Sequence, residues 1–217
     1  MKKTFFSFTL LFILLAVSAC GLKNNSNTQE GADKEKNETE GAVIEDGGYV
    51  VDTGASTLAW KANKVLAGHT GLVAIKSGEL MISNGQLAPS EIVIDMATIT
   101  SDEGIDPLVK HLKSADFFNV EEYPEARLAI KSSTLGDGPG EYIVSGDLTI
   151  KGITRPIDFR AQANMEENRL LARAEIIIDR TNWDIKYRSG KFFQDLGDNL
   201  ISDEVSFVIN LSTSKTE

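Results

Sequence analysis

The 217 residues include a single cysteine, Cys20, and two histidines, His69 and His111. One thiol leaves no disulfide to stabilise the fold. Two histidines would make a metal site only by converging with Asp or Glu, and nothing in their spacing brings that about. Basic residues are few: 22 Lys+Arg against 32 Asp+Glu give a net charge of −10. That balance argues against nucleic acid and against electrostatic attachment to anionic lipid. No G-x-S-x-G, P-loop or G-x-G-x-x-G stands in a strand–loop–helix context. The carboxylate pairs Glu121-Glu122 and Glu166-Glu167 are consecutive, which suits a solvated edge rather than an acid/base pair. No repeat of 20–50 residues shows itself. The chain is therefore expected to be no enzyme and to need no metal and no cofactor.

What is present begins with an export signal. Lys2 and Lys3 precede an almost wholly apolar run from Phe5 to Val17, too short and wrongly flanked for a spanning helix. Residues 1–19 are read as a signal peptide. Val17-Ser18-Ala19-Cys20 resembles a bacterial lipobox, in which the cysteine is acylated and becomes the mature N-terminus. Lipidation at Cys20 gives a lone exported thiol a use, and acyl chains worth about 0.8 kcal/mol per buried CH₂ need no basic patch to hold a membrane. Residues 20–46 then form a lipidated N-terminus and polar tether, rich in Asn, Glu, Lys, Thr and Gly, with too few large apolar residues to offset ordering. The expected location is the bacterial cell envelope, on its periplasmic or outer-membrane side.

From Gly47 to Glu217 the pattern is strand and turn. Thr57–Val65 reads as a strand carrying Trp60, Gly68 and Gly71 as bracketing a turn, and Leu72–Ile75 and Glu79–Ser83 as two strands hinged at Ser77-Gly78. Asn84-Gly85 is the strongest hairpin signal, since both residues tolerate φ > 0. Alternating runs follow around Ile92–Met96, Ala126–Lys131, Tyr142–Ile150, Ile157–Ala163, Leu170–Ile178 and Val205–Leu211. Trp183–Asp198 reads as a strand followed by a long loop. Eight or nine hairpin-connected strands mean an antiparallel barrel or a sandwich. Ala161, Ala163, Ala172 and Ala174 on the apolar face favour the barrel, because a packed sandwich would want bulk there. About eight strands can also enclose one small ligand.

One stretch, Ile105–Ile130, breaks this rhythm. Asp106 can cap a helix and Pro107 suits its first turn. Ile105, Leu108, Val109 and Leu112 share one helical face. Phe117 and Phe118 follow, and Tyr123-Pro124 ends helical geometry before a strand resumes. A short helix and an aromatic elbow that feed a strand would cap or line a cavity.

His111-Leu112-Lys113-Ser114-Ala115-Asp116-Phe117-Phe118, with Glu122-Tyr123-Pro124 after it, resembles the signature of the YceI-like polyisoprenoid-binding proteins. The run Gly146-Asp147-Leu148-Thr149-Ile150-Lys151-Gly152-Ile153-Thr154-Arg155-Pro156 is similar to a second motif of that family. Ile178-Asp179-Arg180 and Ser202-Asp203-Glu204-Val205 fit its C-terminal signatures. The resemblance covers essentially Val50–Leu211. It implies an all-β, lipocalin-like antiparallel barrel of about eight strands with a short capping helix. It also implies a polyisoprenoid or other long-chain amphiphile held in an apolar tunnel, without catalysis. Two departures bear on headgroup recognition rather than on the tail: Leu108-Val109 stands where the family commonly carries Arg-Asp, and Trp60–Lys64 lacks the family's strand-end histidine.

The expected ligand-binding set is Trp60, Leu72, Ile75, His111, Leu112, Phe117, Phe118 and Phe159. As a set these suit an apolar pocket, although any one of them alone could simply fill the core. Arg155 and Arg180 are expected in buried ion pairs that fix loops. The expected function is an envelope lipoprotein that carries, stores or sequesters an isoprenoid-like or fatty amphiphile. The competing reading is a solid-barrel interaction or stress-response lipoprotein acting through its loops. Whether the chain forms a homodimer stays open.

Overall fold

The computed structural model describes residues 44–216. The expected signal peptide, the lipidation at Cys20 and most of the tether lie outside the described residues. Ile44, Glu45 and Asp46, at the end of that tether, already belong to the fold: Ile44 is buried in the core and Asp46 accepts from the Asn84 and Gly85 N–H groups at 2.9 and 3.0 Å.

Nine strands and one α-helix occur among the described residues: β1 (Gly47–Val51), β2 (Thr57–Lys64), β3 (Gly68–Ser83), β4 (Gln86–Asp95), α1 (Asp106–Lys113), β5 (Glu125–Leu135), β6 (Glu141–Ile150), β7 (Ile153–Glu166), β8 (Arg169–Asp179) and β9 (Ile201–Lys215). Strands β2 to β9 pair antiparallel in chain order, and β9 returns to β2 through Leu58↔Ile209 and Trp60↔Phe207. Eight strands therefore close a barrel, which leaves no free edge. β1 occupies the same slot as β2 at the opposite end, between β3 (Val50↔Glu79) and β9 (Val50↔Ser214).

Alternation decides what faces in. On β5, Ala126, Leu128 and Ile130 are buried while Arg127 and Lys131 are exposed; on β8, Leu170, Ile176 and Ile178 are buried while Arg173, Glu175 and Ile177 are exposed. Among the described residues the buried cluster runs from Ile44 to Leu211 and fills the barrel.

Two-residue turns occur where the sequence supplies φ > 0: Asn84-Gly85 (53° and 71°) and Lys151-Gly152 (50° and 68°). Three readings need correction. Gly68, Gly71 and the Ser77-Gly78 pair lie inside one continuous strand, β3, and Gly71 and Gly78 are absent from the positive-φ residues that a tight hairpin would need. Gly78 serves packing instead, since a Cβ there would sit 2.7 Å from the Val51 side chain, and a bulge at Ile75/Ser77 bends the strand. The Trp183–Asp198 stretch forms no strand: it is irregular, with 3₁₀ turns at Arg180–Trp183 and Gly197–Asn199 and left-handed backbone at Asp184, Arg188 and Asp195. Asp106 begins α1 rather than capping it; the cap position is Ile105, without a side-chain hydrogen bond, and Pro107 does lie in the first turn.

Candidate functional site

All connections at one end of the barrel converge: the β2–β3 turn, residues 96–124 between β4 and β5, the Lys151-Gly152 turn, and residues 180–200 between β8 and β9. Residues 96–124 form a cap. Thr100 N–H donates to Leu72 O (2.9 Å) and Asp102 N–H to Thr70 O (2.9 Å), so the cap's first arm extends the β3 ladder beyond β4. The Trp60 indole N–H donates to Thr100 O at 3.1 Å. Gly71 makes this crossing fit, because a Cβ there would lie 2.0 Å from the Thr100 carbonyl oxygen. The second arm returns through Lys113, whose ammonium donates to Ala97 O (2.6 Å), and Met96 N–H, which donates to Pro124 O (2.9 Å).

Residues 180–200 pack beside this cap and are organised by Arg180. Its guanidinium is buried and donates to Ile185 O (2.7 Å), Ser202 O (2.9 Å) and Ile201 O (3.2 Å), with Asp203 Oδ1 at 3.3 Å. Burial pulls the Arg180 pKa down against the attraction of Asp203 and Asp179, but a guanidinium keeps its proton. Asp179 accepts from Thr181 N–H (2.9 Å) and Oγ1 (2.6 Å) and pairs with Lys191. Burial pushes the Asp179 carboxyl up; Lys191 and Thr181 outweigh it and hold it below the usual range.

Beneath the cap lies a cavity of about 100 Å³ with a wholly apolar wall. Trp60, Leu112, Phe117 and Phe118 line it together with inward residues of seven strands, Met96, Ile99, Ile185 and Arg180, which turns no polar surface toward it. A second cavity of about 40 Å³ lies toward the β1 end and includes Phe159, Ala161, Ala172 and Ala174. Ile92, Leu128 and Ile209 line both, so the two voids adjoin at that layer. The alanines do leave room, as their size requires.

Five of the eight sequence-selected residues thus face a cavity. Three do not. Leu72 is exposed on the outer face, because β3 runs straight through and Leu72 and Ile75, three apart, must point to opposite sides. Ile75 is buried but outside both cavity walls. His111 turns away from the cavity: Nε2 lies 3.0 Å from Asp116 Oδ2, and its ring meets Phe117 (4.9 Å) and Tyr187 (4.6 Å) edge-on. It joins the cap to the 180–200 segment. His69 lies apart, 3.7 Å from Glu103. Arg155 is exposed, donating to Asn182 O at 3.1 Å, so of the two arginines only Arg180 is buried.

Tyr187, Ile185 and the fully buried Trp183, whose indole N–H donates to Leu148 O (3.1 Å), were not singled out from sequence. The alternation of Trp183, Ile185 and Tyr187 was their only signal; it has the period of a strand, and the segment forms none.

The four sequence fragments meet here. Tyr123 packs over the Lys151-Gly152 turn, leaving 2.8 Å to any Gly152 Cβ, Lys151 reaches Ala115 O (3.4 Å), and Arg180 reaches Asp203. Comparison with known proteins agrees. A UPF0312 protein of Vibrio cholerae serotype O1 is 34% identical over 123 residues, covering 52% of this chain and 61% of its own length. One from Pseudomonas putida (strain W619) is 36% identical over 77 residues, covering 36% and 40%. The match thus spans less than two thirds of either relative. Among solved structures, a polyisoprenoid binding domain from Saccharophagus degradans superposes with a TM-score of 0.62 at 18% identity, covering 77% of this chain and 98% of that one. Burkholderia cenocepacia BcnA gives 0.61 at 19%, covering 75% and 98%. Both share the closed eight-stranded fold. Residues 49–213 match the YceI-like domain, and the chain belongs to that family.

Proposed function

We propose that the barrel binds the tail of an isoprenoid-like or fatty amphiphile beneath its cap, for carriage, storage or sequestration at the bacterial envelope, anchored through acylated Cys20. The observation that carries this reading is the wholly apolar cavity at the capped end. The one charged residue in its wall, Arg180, spends its donors on backbone carbonyls and Asp203, so nothing inside selects a polar group. Fold likeness to a polyisoprenoid binding domain supports it. No step of chemistry is required of the protein.

Size sets the mechanism. A cavity of 100 Å³ is below the roughly 150 Å³ that holds a benzene ring. A long tail must therefore join the two voids by turning Ile92, Leu128 and Ile209 aside, and must part the Phe117–Phe118 elbow. Binding and cap displacement are then one event, with the ligand's polar end left at the rim.

The same small volume favours the second reading, a packed barrel that works through its loops. Mass spectrometry of an organic extract of the barrel, purified from its own host, separates the two. One long-chain species near one per protein is expected. A folded protein with a clean extract and a copurifying polypeptide would instead support the loops.

A further inference from the structure

A tail that leaves a bilayer needs a route into the cavity, and the wall is least closed at one seam. Along β2 and β9 at the capped end, Ala62, Ile201, Val205 and Phe207 line the cavity yet are only half-buried. A register shift between Ala62 and Lys64 interrupts the pairing there.

Exposed apolar side chains gather around the same seam. Leu66, 78% exposed, tops the β2–β3 turn beside exposed Val65. Phe192 and Phe193, each 50% exposed, top the segment between β8 and β9. The backbone ties these tips together: Lys64 pairs with Ile201, whose N–H donates to Arg188 O at 3.0 Å. Both phenylalanine N–H groups donate to Ser189 O (3.1 and 3.0 Å), and this tight turn presents the rings outward. None of Leu66, Phe192 and Phe193 lines the cavity, and all three are too exposed to be core.

Charge does not choose the partner. Lys64, Lys186, Arg188 and Lys191 stand beside Asp184, Asp195 and Asp198, with Lys186 on Asp184 (2.5 Å) and Lys191 on Asp179 and Asp203. This rim is near neutral on a chain of net charge −10. Apolar tips backed by long cationic side chains, with Lys186 Nζ 5.1 Å from the Phe192 ring centre, match the headgroup–acyl boundary of a bilayer.

We propose that this rim docks on a lipid bilayer, with Leu66, Phe192 and Phe193 entering the interface so that the β2–β9 seam opens toward acyl chains. The proposal rests on the tail-binding reading and adds where the tail crosses. The direction of the chain fits it. Gly47 pairs with Ile82 beside the Asn84-Gly85 turn and Asp46 binds that turn, so Ile44–Asp46 lie at the end opposite the rim. A short link from Cys20 would hold that far end on the membrane. The residues from Cys20 to Ile44 reach about 80 Å when extended, whereas 14-residue β7, tilted as barrel strands are, stands about 35 Å tall. The anchored barrel can therefore turn its rim to the same membrane.

The test uses residues 44–217, which hold all nine strands and the buried cluster found among the described residues. Cosedimentation with phosphatidylcholine vesicles, with and without phosphatidylglycerol, reads docking; uptake of a fluorescent isoprenoid alcohol added from ethanol reads tail binding. Wild type and Ile177→Ser, an equally exposed apolar residue on the side wall (62%), are expected to sediment alike, with little effect of salt or phosphatidylglycerol. The triple variant Leu66→Ser/Phe192→Ser/Phe193→Ser is expected to lose at least about tenfold in vesicle binding while keeping its uptake. Docking is overturned if wild type stays in solution, if the triple variant or Ile177→Ser matches the opposite expectation, or if binding appears only with phosphatidylglycerol and vanishes in salt. Vesicle binding lost in the triple variant, with no uptake by any form, supports docking and removes the tail-binding reading alone.

Discussion

The Trp60 indole N–H donates to the carbonyl of Thr100 at 3.1 Å, directly above Gly71, which has no side chain to hold the two apart. The barrel wall and the cap are thereby joined at one point. Gly71→Ala would place a methyl 2.0 Å from the Thr100 oxygen and 2.7 Å from the Trp60 Nε1. Backbone, not a flexible side-chain end, has to yield. We expect a loss of about 1–3 kcal/mol in urea unfolding and a changed Trp60 fluorescence. An unchanged midpoint and spectrum would show that the cap's first arm is free to move.

Phe118 lines the cavity while only half-buried, so it can swing without opening the core. Phe118→Ala should weaken uptake of a long-chain probe about tenfold or more, a difference of roughly 1.4 kcal/mol. Lys131→Ala, which removes an outer-wall pair to Asp147 (2.7 Å), should change it less than about twofold. Equal effects in equilibrium titrations would reduce the phenylalanine elbow to a structural role.

How much could be seen in the sequence divides by the kind of signal. Strands β5 to β9 announce themselves by period two, and Asn84-Gly85 by its φ requirement. The cavity positions that were found, such as Leu112 and Phe117, sit where helix or elbow geometry fixes the facing side. Leu72 was misplaced because glycines 68, 71 and 78 look like turn residues, yet each here admits a neighbour's approach: Asn63, Thr100 and Val51. Glycine does not say which use it serves. The 180–200 segment escaped for another reason. Its order comes from Arg180 satisfying carbonyls at Ile185, Ile201 and Ser202, contacts that span up to 22 positions and leave no period.

Arg180 makes a further prediction. Arg180→Met keeps an apolar stem but takes the guanidinium from three carbonyls and leaves Asp203 only Lys191, at 3.7 Å. Breaking such a buried pair costs about 3–5 kcal/mol. The variant should unfold at markedly lower urea, and limited proteolysis should cut between residues 184 and 200 before the strands. A small shift with unchanged cleavage would mean that Trp183 and Ile185 hold the segment without it.

Asp46 links the start of the fold to its strongest turn. The Gly85 and Asn84 N–H groups hold its carboxyl below the ordinary carboxylate range. A depressed folded pKa contributes stability that is present above the unfolded value of about 3.9 and lost as pH falls through the lower folded value. Protonation removes the acceptor charge and loosens Ile44–Asp46 from the β3–β4 turn. Asp46→Asn should therefore lower the midpoint of unfolding at pH 7 and narrow its gap to wild type as pH falls below 4. Other carboxylates, Glu45 with Lys215 and Glu141 with Arg160 among them, titrate in the same window, so the difference between variant and wild type carries the result. A gap that stays constant from pH 7 to 2.5 would assign the Asp46 contribution to shape rather than charge.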